Sequence, residues 1–339
     1  MNPFASMNKY LLGLKMVPIN LGELFFLVEA PCNVYGFQNE QYKLILDTGL
    51  LINRASIKQI IDNKFFHIYV KEDEYAKYLA SFQDAMRTLT RSLSVGDPNK
   101  NAISLMNVIS LHMRHVYFDN VNDESLKLQY QGVKTLAGFL LEHSKSHPLI
   151  MTEYDKLKHN FIWAQPILSS VFLLGVLKHS QVMSKNEIES LFIASYFKDI
   201  GMSVISVDKY EAGQLNDDDK LMLLQHPKYS VQLLSGRVPL AHAYLSVIQN
   251  HHAFSLLNSY LGDEAISHTP EKVMFGFETV MVNVIDIIAA MISGRPFREA
   301  TSLYDSLELV KSLIADDYPR EFKLIVHYFQ QFFSSKKKI

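Results

Sequence analysis

The chain has 339 residues, 48% apolar and 20% charged, with a formal net charge of -2. That is long enough for two domains with real cores, and the charge offers no basic field for duplex nucleic acid or a membrane surface. A single cysteine, Cys32, excludes an intrachain disulfide and a cysteine-rich zinc site and fits a reducing cytosol.

The opening MNPFASMNKY has no basic start followed by an apolar core, so no signal peptide is expected. Residues 10–75 read as a small mixed unit. ELFFLVEAP, YKLILDTG and FFHIYV are short apolar runs of β-forming residues broken by Pro31, Gly36 and Gly49, and NRASIKQIIDNK between them reads as one short helix. EDEYAKYLASFQDAMRTLTRSL then repeats apolar residues at three and four, without proline or glycine. SVGDPNKN breaks the pattern, and AISLMNVISLHMRHVYF and LKLQYQGVKTLAGFLLEHS continue it. From about 150 to 335 the pattern is helical, with breaks at Gly201, Asn216–Asp219, Pro239, Asn258–Asp263 and Ser293–Pro296. The longest nearly uncharged apolar runs, Ile167–Leu177 and Val280–Ile292, are too short to cross a bilayer. The expected class is mainly α: a small α+β domain over 1–75, a helical connector over 76–148 that is a candidate for a homodimer seam, and an all-helical domain over 149–339. No membrane partner is expected, and the expected location is cytoplasmic.

Several polar residues interrupt the helical patterns of the back half. Asp155 and His159 stand four apart in DKLKHN and share one side of a helix. Asp199, in SYFKDIGM, continues a stripe through Ile188, Phe192 and Ser195. His226 precedes a proline in QHPKYSVQLL, and His251 and His252 form a doublet in VIQNHHAFS. Asp286 is the only charge between Glu278 and Arg295. Each has an ordinary reading. An Asp/His pair at that spacing is usually a surface contact, an HP dipeptide usually starts a helix, and a histidine doublet is often one buried and one exposed residue. Asp286 is harder to set aside, because a carboxylate in so apolar a helix is costly unless it is paired or bound to a cation. A scaffold in which Asp286 pairs with a doublet histidine is one solution. A metal site is the other: imidazole and carboxylate suit iron, manganese or zinc, and two ions sharing a carboxylate can activate water for in-line attack on phosphorus.

The order of these elements, Asp/His, KDIG, HP, HH and IDIIAAMISGRPFREA, resembles the HD-GYP branch of the HD phosphohydrolase superfamily over roughly 150–335. The resemblance implies an HD-type all-helical domain holding two divalent ions, commonly iron, that hydrolyses cyclic di-GMP to pGpG or GMP. It implies Asp199 as bridging carboxylate, with Asp155, His159, His226, His251, His252 and Asp286 as further metal ligands. Lys198, Asp199 and Tyr260 fall at catalytic positions, and Arg295 and Arg298 at positions that contact a substrate phosphate.

The chain departs from the family at defined places. Lys198 stands where the family has the histidine of its His-Asp pair, and Met202 where it has a lysine. Ser259 and Leu261 flank Tyr260 in place of glycine and proline, and KHSQVMSKNE lengthens the segment between His159 and Asp199. An ammonium does not ligate metal, so Lys198 either bends away or offers its charge to a phosphate. Two functional readings follow: an atypical metal-dependent cyclic-dinucleotide phosphodiesterase, or a metal-containing but weak or inactive signalling module that binds nucleotide or protein partners.

Overall fold

A computed structural model describes residues 15–119, 121–143, 147, 161–206, 209, 215–254, 274–294 and 299–336. Asp155, His159, Tyr260, Arg295 and Arg298 lie outside the described residues. The chain divides into two compact units, one of 1–119 with 206–214, the other of 120–205 with 215–339.

The first unit holds an antiparallel sheet of β1 (Met16–Ile19), β2 (Val34–Gln38), β3 (Gln41–Leu46) and β4 (Ile68–Lys71), in the order β1-β4-β2-β3. β2 and β3 are joined by Asn39 and Glu40, both at positive φ (51° and 61°), the conformation of a two-residue type I′ hairpin. The run ELFFLVEAP, with its β-forming composition, makes no strand. Asn20 accepts from the Gly22 amide and Glu23 reaches back to the Asn20 amide, so Leu21–Phe26 starts as a capped 3-10 helix. Helix α1 (Arg54–Asp62) is capped by Asn53. Helices α2 (Glu72–Arg91) and α3 (Pro98–Phe118) complete the unit. α3 begins inside the stretch expected as a break, because Asp97 caps the Asn99 and Lys100 amides and Pro98 suits a first helical turn. Cys32 is wholly buried, and burial pushes its thiol up to about 11, so it packs as a small apolar group.

A polar knot closes this unit's core. Glu23 is fully buried and accepts from the Tyr78 hydroxyl at 2.9 Å; its carboxylate lies 3.0 Å from His115 Nε2, while the Tyr75 hydroxyl meets His115 Nδ1 at 2.8 Å. Burial alone would raise the Glu23 carboxyl, but His115 and Arg114 outweigh it and hold the group below its ordinary 4.5. The stability it contributes is therefore full above about 4.5 and is lost as pH falls through the lower folded value. Glu23→Gln is expected to cost about 1.5–3 kcal/mol at neutral pH, the worth of hydrogen bonds to a charged group. Urea unfolding of both proteins from pH 7 to pH 3 checks this: the gap should narrow in acid, and a constant gap would refute it.

The second unit is all-helical among the described residues: α4 (Asp123–Glu142), α5 (Phe161–Ser180), α6 (Lys185–Phe197), a 3-10 turn (Ile200–Val204), α7 (Asp217–Leu224), α8 (His226–Leu234), α9 (His242–Gln249), α10 (Phe277–Ile292), α11 (Leu303–Ile314) and α12 (Pro319–Lys336). α5 is central. Val171, Phe172, Leu173 and Leu174 are successive and all buried, so the helix is apolar all round and packs against α6, α10 and α12. Each such side chain contributes about 1.5–3 kcal/mol through burial. α6 starts at a reciprocal capping box between Ser184 and Glu187, within the lengthened KHSQVMSKNE segment. Among the described residues no helix is long and apolar enough to cross a membrane.

Candidate metal centre

Four short pieces of chain meet in the second unit. α6 ends at Phe197, delivering Lys198 and Asp199 into the turn that leads to the 3-10 segment. α8 supplies His226 from its first residue, the turn after α9 supplies His251 and His252, and α10 supplies Asp286. The KDIG turn lies directly on α8 because residue 201 is glycine: a Cβ there would run into the His226 carbonyl and come within 2.5 Å of the Ser230 nitrogen. Ser230 fastens the contact. Its hydroxyl accepts from the Gly201 amide at 2.8 Å and donates to the Lys198 carbonyl at 2.6 Å. α10 makes a second fastening, where Asn283 Nδ2 donates to the Asn250 carbonyl just before the histidine doublet. Neither Ser230 nor Asn283 carries a sequence signal that would single it out.

Asp199, His226, His251 and His252 each place one ligand atom within 4.8 Å of the others. Asp199 Oδ1 is 3.2 Å from His226 Nε2 and 3.0 Å from His251 Nε2. His226 Nε2 is 3.2 Å from His251 Nε2 and 3.3 Å from His252 Nε2. The other nitrogen of two of these rings shows which proton each ring carries. His226 Nδ1 meets the Leu223 carbonyl, and His251 Nδ1 meets the Ile248 carbonyl at 2.7 Å; both carbonyls belong to the last turns of helices. A carbonyl oxygen only accepts, so each Nδ1 carries a proton, and in the neutral form of each ring the Nε2 lone pair faces inward. Burial lowers the His251 pKa, and burial together with His251 and His226 pushes His252 down to about 2, so these rings stand neutral.

In that form imidazole lone pairs face one another and a carboxylate oxygen, acceptor turned toward acceptor. A cation resolves the conflict, and the spacing fits one. Ligand atoms about 2.0–2.1 Å from a common ion are about 2.9 Å apart when the bonds are perpendicular and about 3.4 Å apart when they are tetrahedral. Four of the six separations, at 3.0–3.3 Å, lie between these limits, and all six are within 4.8 Å. Three nitrogens and one oxygen, without thiolate, suit a divalent iron, manganese or zinc.

Lys198 does not bend away. It is wholly buried, with its ammonium paired to Asp199 Oδ2 and 2.9 Å from Asp286 Oδ1. Burial works against its charge, but the two carboxylates outweigh burial and raise its pKa. Burial would likewise raise the Asp199 carboxyl, and the Lys198 ammonium instead holds it well below the usual carboxylate range. Asp286 thus finds its countercharge in Lys198, not in a doublet histidine, and it stands outside the four-donor group. Asp155, His159, Tyr260, Arg295 and Arg298 lie outside the described residues, so no position is assigned to them.

No family model and no curated relative matches the chain. A solved structure does: Bd1817, an HDG"Y"P protein from Bdellovibrio bacteriovorus, matches with a TM-score of 0.59 over 94% of this chain and 99% of that one, at 15% identity. A likeness at that identity speaks to architecture, and on it the chain has the fold of this HDG"Y"P protein.

Proposed function

We propose that the chain is a divergent member of the HD-GYP family and acts as a metal-dependent phosphohydrolase on a cyclic dinucleotide, cyclic di-GMP in the first place. The single observation that carries this is the inward-facing set of Asp199 Oδ1 and the Nε2 atoms of His226, His251 and His252, with two of the imidazoles oriented by backbone carbonyls that hold a proton on Nδ1. The shared fold and the order of the motifs along the chain support it.

In this reading Asp199, His226, His251 and His252 hold a divalent ion. Such an ion would supply a Lewis acid for a phosphoryl oxygen and a lowered pKa for the attacking water. Asp199 keeps its negative charge because Lys198 stands behind it. The family resemblance gives Arg295 and Arg298 to the substrate phosphates and Tyr260 to a catalytic position. The family resemblance gives Asp155, His159 and Asp286 as further metal ligands. The burial of Lys198 between two acids favours the other reading, a metal-containing module of weak or no turnover that binds nucleotide or protein partners.

Anaerobically purified protein, assayed for elements and for hydrolysis of cyclic di-GMP in the same sample, separates these readings. Bound metal with formation of pGpG or GMP supports the hydrolase. Bound metal without turnover selects the binding module. Protein that takes up no divalent ion would remove both.

A further inference from the structure

The geometry points to a centre that holds one metal ion only, with the Lys198 ammonium occupying the place of a second cation between Asp199 and Asp286. The inference rests on the metal-binding reading above and goes beyond it, since the family resemblance implies two ions.

The two oxygens of Asp199 face different partners. Oδ1 looks toward the imidazoles of His226 and His251, and Oδ2 toward Lys198. The carboxylate is therefore a bridge, as a shared ligand would be, with a histidine-lined side and a lysine side. On the lysine side Nζ lies within ion-pair distance of both Asp199 Oδ2 and Asp286 Oδ1, and the side chain has no solvent exposure. A second cation drawn to those two oxygens would need the point that the ammonium fills. It would also meet a like charge at contact distance, the wholly buried Lys198 ammonium, where repulsion is strong. Withdrawing the ammonium would also leave two largely buried carboxylates without its charge.

The charge count fits the substitution. Asp199 and Asp286 carry two negative charges; the ammonium brings one positive charge from within the chain, and the histidine-lined side calls for one divalent ion. Lys198 is thus a positioning residue. It holds Asp199 ionised and oriented, and it sets the number of ions at one.

The test uses full-length protein loaded with excess manganese(II) under anaerobic conditions and then desalted. Wild type should retain one manganese per chain and show the electron paramagnetic resonance spectrum of an isolated ion. Lys198→His should retain two per chain and show a spin-coupled pair. Two coupled ions in the wild type would overturn the inference while leaving the metal-binding reading in place. No retained manganese, iron or zinc in the wild type would overturn both. One ion in a folded Lys198→His variant would also overturn it, since the lysine would then not be what excludes the second. Should that variant fail to fold, the wild-type stoichiometry and spectrum decide the matter alone.

Discussion

Asp199→Asn should leave a folded protein that no longer retains a divalent ion, with affinity lower by at least about 100-fold, since loss of even an outer partner of a metal ligand costs 10–100-fold. Two effects act together. The amide is neutral, so the anion of the four-donor group is gone. Its nitrogen can also donate to the bare Nε2 of His251, now 3.0 Å from Asp199 Oδ1, and so satisfies from within the chain a lone pair that otherwise asks for a cation. The fold should survive because Lys198 keeps its pairing with Asp286 at 2.9 Å. Titration calorimetry with manganese(II) and a thermal melt on the same preparation check both halves. Wild-type affinity in the variant would mean that the four-donor group is not where the metal binds.

Gly201→Ala should be the most damaging single methyl in the second unit. The added carbon meets the His226 carbonyl and the Ser230 nitrogen, both backbone atoms of α8, so no side-chain rotation relieves the contact. Overpacking a close-packed site typically costs 1–3 kcal/mol, and about 3 kcal/mol or more is expected where only backbone can yield. The separation of the KDIG turn from α8 would also break the two hydrogen bonds through Ser230 and carry His226 away from Asp199. Denaturant unfolding and elemental analysis should therefore both respond. A variant with wild-type stability and metal content would show that the turn and the helix are not held this closely.

The mainly helical class, with a small sheet in front, was legible because apolar periodicity reports which face is buried, and it did so clearly for α2, α4 and α10. Local chemistry decided where that signal misled. Leu21–Phe26 has the composition of a strand but the caps of a helix, and Asp97 and Pro98 start α3 inside what reads as a loop. In the metal centre, residue types were legible and directions were not. KDIG shows that a lysine precedes Asp199, but not that its side chain runs inward to a second acid contributed by α10. The carbonyls of Leu223 and Ile248, which fix two of the imidazole protons, are backbone groups that any sequence possesses. Only the folded chain shows that they stand at helix ends facing a histidine.

The anchoring of His226 and His251 to those carbonyls, and of Asp199 to Lys198, bears on the order of events during maturation. Every one of these restraints is made by the polypeptide itself. The receptacle can therefore be complete on folding and filled afterwards, unlike small zinc domains whose chain stays unfolded until its ion arrives. Metal supply should then govern when the protein becomes competent, leaving its abundance to be set by synthesis and turnover.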